Sequence, residues 1–443
     1  MIKLARRLGP FDAALIVMGG IIGSGIFRNP SVVAKIVWIP SAILGVWIAG
    51  GAVSILGAFV IAELAARRPH DGGFYAYLRD AFHPLVAFMY GWTLLLISQS
   101  GGMAAAALTF AGYYPVLTGQ NVSQPLLAFV VLAVFTIVNC LGVRQGGNLQ
   151  NVFMVLKIGA IALLIGFGLF AHPQPSAAIQ NPSTATTMGL FALMAVAMVQ
   201  VMFAYSGWQT ASFMSGELKD PARTLPRGLL WGVGGVIALY LLVNVVCLRV
   251  LGANGLMHTD APASEVARAF IGTRGAQLMA AIISLSTLGF LSNQILTSPR
   301  VYHAMAADGL FFKAIAWVHP KSRVPVVAIA LQGVVAIVIT FWKGYAAITN
   351  FVIGVDFLFF ALAAAAVFIF RARDRRKSVP FSVPFHPYTT GLFLVIALGI
   401  AVTSYAASWQ GAAVTFAVFA VAVPVYYAFA RSKRPGSVTG NTT

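Results

Sequence analysis

The sequence predicts an all-α integral membrane protein with 12 transmembrane helices, in which two inverted sets of five helices are followed by two C-terminal helices. Its composition excludes an ordinary soluble domain, which carries about 25% charged residues, because 59% of the 443 residues are hydrophobic and only 9% are charged. Apolar segments follow one another from end to end. Small residues interrupt two of these segments at corresponding positions, which indicates broken helices.

The apolar segments are long enough to cross a bilayer, since about twenty apolar residues span its hydrocarbon core as a helix. They lie at about 11–30, 40–64, 84–115, 125–143, 149–171, 187–214, 227–250, 275–296, 324–341, 346–370, 386–407 and 409–430. We expect a single transmembrane domain over residues 1–443. Within it, repeat one lies at about 11–171, repeat two at about 187–370, the extra helices at about 386–430 and a disordered tail at 432–443.

The distribution of basic residues predicts the orientation. If the N-terminus is inside, 22 of the 29 Lys and Arg residues lie on the inner side, six lie on the outer side and Lys157 lies within a segment. Because cytoplasmic loops carry the excess of Lys and Arg, both termini are predicted to be cytoplasmic. The basic residues that give the chain its net charge of +18 therefore lie mainly along one face of the membrane, and nucleic-acid binding is not expected.

The first segment contains Gly-Gly-Ile-Ile-Gly-Ser-Gly-Ile-Phe at 19–27. Each of its four glycines lowers helix stability by about 1 kcal/mol relative to alanine. One interpretation is close helix packing, because Gly19 and Gly23 form a small-xxx-small pair. The other is a discontinuous helix whose free backbone groups bind a polar ligand at the membrane midplane.

A second interruption favours the broken-helix interpretation. Ser206-Gly207 lies in the middle of the sixth segment, which begins repeat two as the first segment begins repeat one. Matched interruptions in two halves indicate a transporter site made of inverted repeats. We therefore expect a LeuT-type fold with discontinuous helices 1 and 6, in a single transmembrane transporter domain.

Two charged residues are predicted to lie deep in the membrane. Lys157 is about eight residues into segment five, roughly 12 Å along the helix, and we expect its ammonium to reach the carbonyls of the first break. A lysine that only ties helices together is the alternative. Asp356 in segment ten is either a protonatable coupling group or a neutral carboxyl that fixes its helix. Glu63, close to Arg67 and Arg68, is expected in a solvated ion-pair cluster.

No motif indicates an enzyme. The sequence lacks a G-x-x-x-x-G-K-[ST] phosphate loop, a G-x-S-x-G elbow and an H-E-x-x-H pair. The seven histidines show no metal-ligand spacing, so neither a metal nor a cofactor is expected. Cys140 and Cys247 lie in apolar segments and are predicted to be small core residues.

Five stretches together resemble the amino acid–polyamine–organocation (APC) superfamily of permeases, especially its L-type amino acid transporter branch. The glycine motif at 19–27 resembles the span-one motif of that family. Similar stretches follow in the family's order at 62–82, at 139–144 with Lys157, at 203–227 and at 298–309. Each stretch alone is modest evidence, whereas the ordered set over roughly residues 9–330 is specific.

The resemblance implies a secondary amino acid transporter, usually an exchanger. In that family, backbone N–H groups at the first break hold the substrate carboxylate, which corresponds to Ser24 and Gly25. The α-amino group meets carbonyls at both breaks, which corresponds to Ile21, Phe203, Ala204 and Ser206. The Phe203 ring would form a thin gate, and a lysine in span five matches the sodium-independent members.

Two departures from the family's pattern refine the expectation. Members that accept cationic amino acids can carry an aspartate where this chain has Ser206, so we expect neutral substrates. Animal members pair with a glycoprotein through a cysteine in the loop after span three. The corresponding loop, residues 117–125, has no cysteine, so we expect no disulfide-linked heavy chain and a bacterial cytoplasmic (inner) membrane location.

Three modes of action stay open at this stage. The favoured hypothesis is sodium-independent exchange by alternating access, with the amino acid bound at the two breaks within the lipid bilayer. A proton-coupled symporter that uses Lys157 or Asp356 is the alternative. A channel-like or sensor protein is least favoured, because charged pore rings are absent from the sequence.

Overall fold

A computed structural model describes residues 8–23, 25–69, 72–141, 143–170, 189–320, 324–342, 345–375 and 378–432. Its long elements are helices: α1 (Pro10–Ile21), α2 (Gly25–Val37), α3 (Pro40–Arg67), α4 (Phe74–Ala81), α5 (Pro84–Thr93), α6 (Gln99–Thr118), α7 (Gln124–Leu141), α8 (Val143–Phe170), α9 (Leu190–Tyr205), α10 (Thr210–Phe213), α11 (Pro221–Met257), α12 (Pro262–Thr297), α13 (Pro299–Ala307), α14 (Val326–Trp342), α15 (Tyr345–Arg373), α16 (Tyr388–Ala407) and α17 (Trp409–Ser432). Within these ranges the only β-type pairing is an isolated bridge between Leu8 and Leu218.

The local sequence explains many helix starts. Proline occupies the first turn of α3, α5, α11 and α12, where its missing N–H has no helical partner to lose. The turn Leu94–Ser98 between α5 and α6 is a π-helix. Such bulges change the direction in which the following side chains point and often occur at functional sites.

The membrane-spanning character of the chain agrees with the sequence. Ten helical stretches among the described residues, some of which join two of these helices, are long and apolar enough to cross a membrane, and an eleventh span results if α1 and α2 count as one bent helix. The remaining predicted segment coincides with α14, a shorter apolar helix of 17 residues. The fold is thus all-helical, whereas the count of twelve spans and the inverted repeat stay predictions.

One helix begins earlier than predicted. Helix α12 starts at Pro262, thirteen residues before the predicted segment at 275. Its backbone leaves the helical region at Ile271 and Gly272, where the φ of Gly272 is +68°. The predicted segment begins just after this break, so the sequence identified the long apolar part and missed the preceding helix.

Several helices pack around the first membrane span, which α1 and α2 form. Helix α1 packs against α11, α2 packs against α9, and α12 packs against both α8 and α6. Three aromatic side chains join α3, α9 and α11, with ring centroids 5.6 Å apart for Trp47 and Tyr205 and 5.1 Å apart for Tyr205 and Tyr240. This cluster lies directly beside the two helix breaks and fixes the helices that carry them.

The predicted ion pair between Glu63 and a neighbouring arginine is confirmed for Arg67, but its predicted solvation is wrong. The Glu63 carboxylate is fully buried and accepts hydrogen bonds from the Arg67 and Arg371 guanidinium groups, at 2.7 and 2.6 Å, and from the Val383 N–H at 2.6 Å. A buried carboxylate needs such partners, because it has lost its hydration. Arg371 and Val383 come from the other end of the chain, so their contribution could not be inferred from the neighbours of Glu63.

Candidate functional site

The first helix break separates α1 from α2. Helix α1 ends at Ile21, and Ile22 is extended, with φ −70° and ψ 96°. Helix α2 begins at Gly25, and the axes of the two helices differ by 44°. The first N–H groups of α2 and the last carbonyls of α1 therefore lack helical partners at the same depth. Ser24, one of the predicted binding residues, lies outside the described residues.

The second helix break follows α9. Ser206 is extended, with φ −70° and ψ 158°. Gly207 has φ +118°, a conformation that residues with a side chain rarely adopt. The Gly207 N–H donates to Gln209 Oε1 at 3.1 Å, and the Thr210 hydroxyl donates to the Gly207 carbonyl at 2.6 Å. The residues that follow the break therefore satisfy its backbone groups locally.

The two breaks pack directly against each other. A Cβ added to Gly25 would lie 2.7 Å from the Cα of Ala204, and one added to Gly207 would lie 2.0 Å from the Gly20 oxygen. Both distances are far below a van der Waals contact between carbon or oxygen atoms. Glycine at these positions lets the two backbones approach each other. Gly25 and Gly207 therefore allow close helix packing in addition to interrupting their helices.

The Lys157 ammonium lies against the first break. Lys157 is only 1% exposed, and its Nζ donates to the Ile22 carbonyl at 2.7 Å and to the Gly19 carbonyl at 3.4 Å. The Phe290 ring centroid lies 5.8 Å from Nζ, within cation–π range. From α8, this side chain thus places a positive charge at the exposed carbonyl end of α1, where the helix dipole is negative.

A second side chain also binds this carbonyl end. The Tyr240 hydroxyl of α11 donates to the Ile21 carbonyl at 3.2 Å. With Lys157 it satisfies three carbonyls at the end of α1, those of Gly19, Ile21 and Ile22. The first break is therefore stabilised by side chains from two distant helices.

A partly open cavity, with a volume of about 40 Å³, lies at the two breaks. It is lined by backbone of both breaks and by side chains of α6, α12 and α15, namely Gly20, Ile21, Gly23, Gly25, Ser98, Gln99, Gly102, Phe203, Ser206, Gly207, Gln209, Phe290, Gln294, Val352 and Asp356. Half-helix N-termini carry partial positive charge, and C-termini carry partial negative charge. The charges of these helix ends therefore suit a small zwitterion, with its anionic end at α2 and its cationic end at α1 and α9.

Most predicted substrate-binding residues come together here. Ile21, Gly25, Phe203 and Ser206 line the cavity, whereas Ala204 contacts Gly25 beside it. The Ser206 hydroxyl has no hydrogen-bond partner in the part of the chain that the structure describes. Geometry thus groups these residues, and their contact with a substrate stays a prediction.

Asp356 of α15 also lines the cavity. It is 4% exposed, and its Oδ1 accepts a hydrogen bond of 2.5 Å from the Ser98 hydroxyl. Ser98 is the last residue of the π-helical turn between α5 and α6, which links this irregular turn to the cavity. The sequence offered no partner for Asp356, because Ser98 lies 258 residues earlier.

Sequence reasoning did not single out three further lining residues, Gln99, Gln294 and Phe290. The two glutamines interrupt apolar segments, and polar side chains inside membrane helices usually face the protein interior or a cavity. That feature could have identified them. Phe290 gives no such indication, because phenylalanine is common throughout membrane helices.

Comparison with known proteins agrees with this architecture. A serine/threonine exchanger of Bacillus subtilis is 28% identical over 434 residues, which cover 97% of this chain and 98% of that protein. The large neutral amino acids transporter small subunit 2 of Homo sapiens is 28% identical over 438 residues, covering 96% and 81%. The b(0,+)-type amino acid transporter 1 of Mus musculus is 28% identical over 407 residues, covering 89% and 83%.

These relatives are transporters, which confirms the predicted family resemblance and the prediction that the chain is not an enzyme. The family model for amino acid permeases matches residues 8–435, nearly the whole chain. The chain therefore belongs to the amino acid permease family.

Proposed function

We propose that this chain is a sodium-independent exchanger of neutral L-amino acids that works by alternating access across the bacterial cytoplasmic membrane. The substrate binds in the cavity between the two breaks, with its carboxylate at the start of α2 and its ammonium at the carbonyl ends of α1 and α9. Both termini are cytoplasmic, and no disulfide-linked heavy chain is required.

One observation carries the proposal, namely the position of the Lys157 ammonium at the first break. It donates to the carbonyls of Gly19 and Ile22, the kind of unwound backbone carbonyls that coordinate sodium in broken-helix transporters. A protein-borne positive charge at this place removes the need for a bound cation. Because the Lys157 ammonium is part of the protein, its charge does not exchange with the medium as a bound sodium ion does. It therefore cannot couple transport to a sodium gradient.

Exchange of neutral substrates is supported by the composition of the second break. Ser206 lines the cavity, at the position where members that accept cationic amino acids can carry an aspartate. The names of two relatives, a serine/threonine exchanger and a large neutral amino acids transporter subunit, describe the same kind of substrate. The name of the human relative also describes it as a subunit, whereas the loop at 117–125 of this chain has no cysteine for a disulfide link to a partner.

The test is a counterflow measurement with purified protein in liposomes. Vesicles preloaded with unlabelled alanine, and matched empty vesicles, are given external labelled alanine in sodium medium or in potassium medium. We expect labelled alanine to enter only the preloaded vesicles, at the same rate in both media. Uptake into empty vesicles that requires a sodium gradient would contradict the proposal.

The position of Asp356 favours proton-coupled symport as a second candidate function. Its carboxyl group lines the cavity and is almost fully buried, so a substrate and a proton could bind in the same chamber. In that case an acid exterior would drive uptake into empty vesicles, and Asp356→Asn would abolish this uptake. If the counterflow rate ignores the pH gradient, exchange is the function.

A further inference from the structure

The cavity has a second wall that the two helix breaks do not provide. Helices α6, α12 and α15 and the π-helical turn contribute Ser98, Gln99, Gln294 and Asp356 to it. Backbone groups of the breaks suffice for the carboxylate and ammonium that every amino acid carries. This polar wall is therefore available for the part of the substrate that differs between amino acids, its side chain.

The hydrogen-bonding capacity of this wall is only partly used. The described residues supply the Asp356 carboxyl with one hydrogen bond, from Ser98, although a carboxyl group has two oxygens and can form several hydrogen bonds. The Gln294 side chain is 4% exposed, and its Oε1 has no partner in the described ranges. The Gln99 oxygen, in contrast, accepts from the Ser298 hydroxyl at 2.9 Å.

Buried acceptors without donors are unusual in folded proteins and call for an explanation. Gln294 carries such an acceptor, and Asp356 lines the same cavity. A ligand hydroxyl carries one donor and would supply it to one of these two groups. The wall also contains Val352 and Phe290, whose apolar surfaces suit a methyl group and limit the room for a long polar chain.

We propose that Asp356, together with Gln294, selects substrates with a hydroxyl group on a short side chain over isosteric apolar substrates. This inference rests on the proposed exchange of neutral amino acids and names the class within it. Recognition needs a donor on the substrate, which a hydroxyl supplies and a methyl does not. A site built to bind a hydroxyl rejects the analogue without it, because its buried acceptors are then left without partners.

Threonine and valine provide the sharpest pair of probes, because they have the same shape and differ by one hydroxyl. In vesicles preloaded with alanine, the wild type should exchange threonine at least about tenfold more efficiently than valine. The comparison needs no variant, so it tests the inference even if a substitution in this wall prevents folding. Equal efficiencies for threonine and valine in a wild type that exchanges alanine would overturn it.

Two substitutions of Asp356 then distinguish the effect of its acceptor oxygens from the effect of its charge. Asp356→Leu removes the acceptor at similar size and should bring the threonine-to-valine ratio to within about threefold of one. Asp356→Asn keeps an acceptor oxygen without the charge and should retain most of the preference. Thr109→Val is the matched control, because it removes a buried hydroxyl of α6 that bonds within its own helix to the Ala105 carbonyl at 2.8 Å and lies outside the cavity lining.

The outcomes distinguish the inference from the proposed function. If the wild type exchanges no amino acid, the proposed function fails. If it exchanges alanine and the ratio in Asp356→Leu equals that of the wild type, only the inference fails. If the wild type prefers lysine to threonine and Asp356→Asn loses that preference, the wall recognises a cationic side chain, and the hydroxyl inference is overturned.

Discussion

The two helix breaks line one cavity, but their backbone groups form hydrogen bonds with different kinds of partner. At the first break, the carbonyls of Gly19 and Ile22 accept hydrogen bonds from Lys157 of α8, and that of Ile21 accepts one from Tyr240 of α11. At the second break, the groups of Gly207 are satisfied by residues that follow within three positions. One break thus depends on distant partners, of which Lys157 is charged, and the other on local, neutral ones.

This difference indicates which of the two breaks is coupled to movements of other helices. A movement of α8 or α11 changes the hydrogen bonds of the first break, because their side chains provide its donors. The second break keeps its local bonds when neighbouring helices move. We therefore expect the first break to respond to substrate and gating, and the second to form the fixed wall of the cavity.

The largest effect is expected where the two breaks touch. Gly25→Leu places a side chain into Ala204, whose Cα lies 2.7 Å from the position of a Cβ, so the breaks must separate. We predict that counterflow falls to background while the protein still elutes as a folded species in detergent. Gly399→Leu is the control, because a Cβ there has no neighbour within 4 Å. Normal exchange by Gly25→Leu would show that the contact between the two breaks is not part of the transport site.

Loss of the distant charge should have the next largest effect. Lys157→Met leaves the Gly19 and Ile22 carbonyls without their donor, and each unpaired buried group costs about 1–3 kcal/mol. We predict a counterflow rate reduced roughly 100-fold. Lys157→Arg should not restore it, because a planar guanidinium differs in shape from an ammonium.

The control for Lys157 is Lys35→Met, which removes a lysine whose side chain is 44% exposed and pairs with Asp260. Its counterflow rate should equal that of the wild type. If Lys157→Met keeps the wild-type rate, the ammonium does not support the first break during transport.

A local bond at the second break should matter less. Gln209→Leu removes the acceptor of the Gly207 N–H, and we predict a counterflow rate lowered about tenfold, since one neutral hydrogen bond is lost. Gln332→Leu is a matched control, because Gln332 is an equally buried glutamine of α14 that lies outside the cavity lining. A larger loss in Gln209→Leu than in Lys157→Met would reverse the proposed ranking of the two breaks.

The smallest effect concerns a peripheral ion pair. Lys35 donates to Asp260 at 2.7 Å, and this hydrogen bond lowers the pKa of the Asp260 carboxyl, which lies in the loop between α11 and α12. A lowered folded-state pKa contributes stability above the ordinary aspartate pKa, and this stability disappears as the pH falls through the folded-state pKa. Because both groups are exposed, the contribution is at most about 1 kcal/mol.

Thermal unfolding in detergent measures this contribution. At pH 7 the midpoint of Lys35→Met should lie slightly below that of the wild type, and the difference should shrink as the pH falls below the ordinary aspartate pKa. A difference that grows as the pH falls would contradict the assigned sign.

The sequence predicted the features that are local in the chain. Four glycines within seven residues predicted the first break, and Ser206-Gly207 predicted the second. The predicted reach of Lys157 matches its hydrogen bond to Ile22, because a buried ammonium requires acceptors and a broken helix exposes carbonyls. Its part in transport stays a prediction.

Features that join distant parts of the chain were not predictable in this way. Glu63 was expected in solvent, but Arg371 and Val383 come to it from about three hundred residues away. Similarly, the partner of Asp356 and the shared cavity wall with Gln294 depend on how α6, α12 and α15 pack. Hydropathy determines which segments are buried but not which side chains of different segments meet.

The most direct test of the account places a reporter in the cavity itself. In a protein whose Cys140 and Cys247 are replaced by alanine, Ser206→Cys introduces one thiol at the cavity wall, and Ser123→Cys introduces one in the exposed loop after α6. After exchange by each variant is verified, labelling by a water-soluble thiol reagent is measured at increasing alanine concentrations. We predict saturable protection of Ser206→Cys, with half-protection near the half-saturating concentration for exchange, and none for Ser123→Cys. If saturating alanine leaves the labelling of Ser206→Cys unchanged, the substrate does not bind between the two breaks.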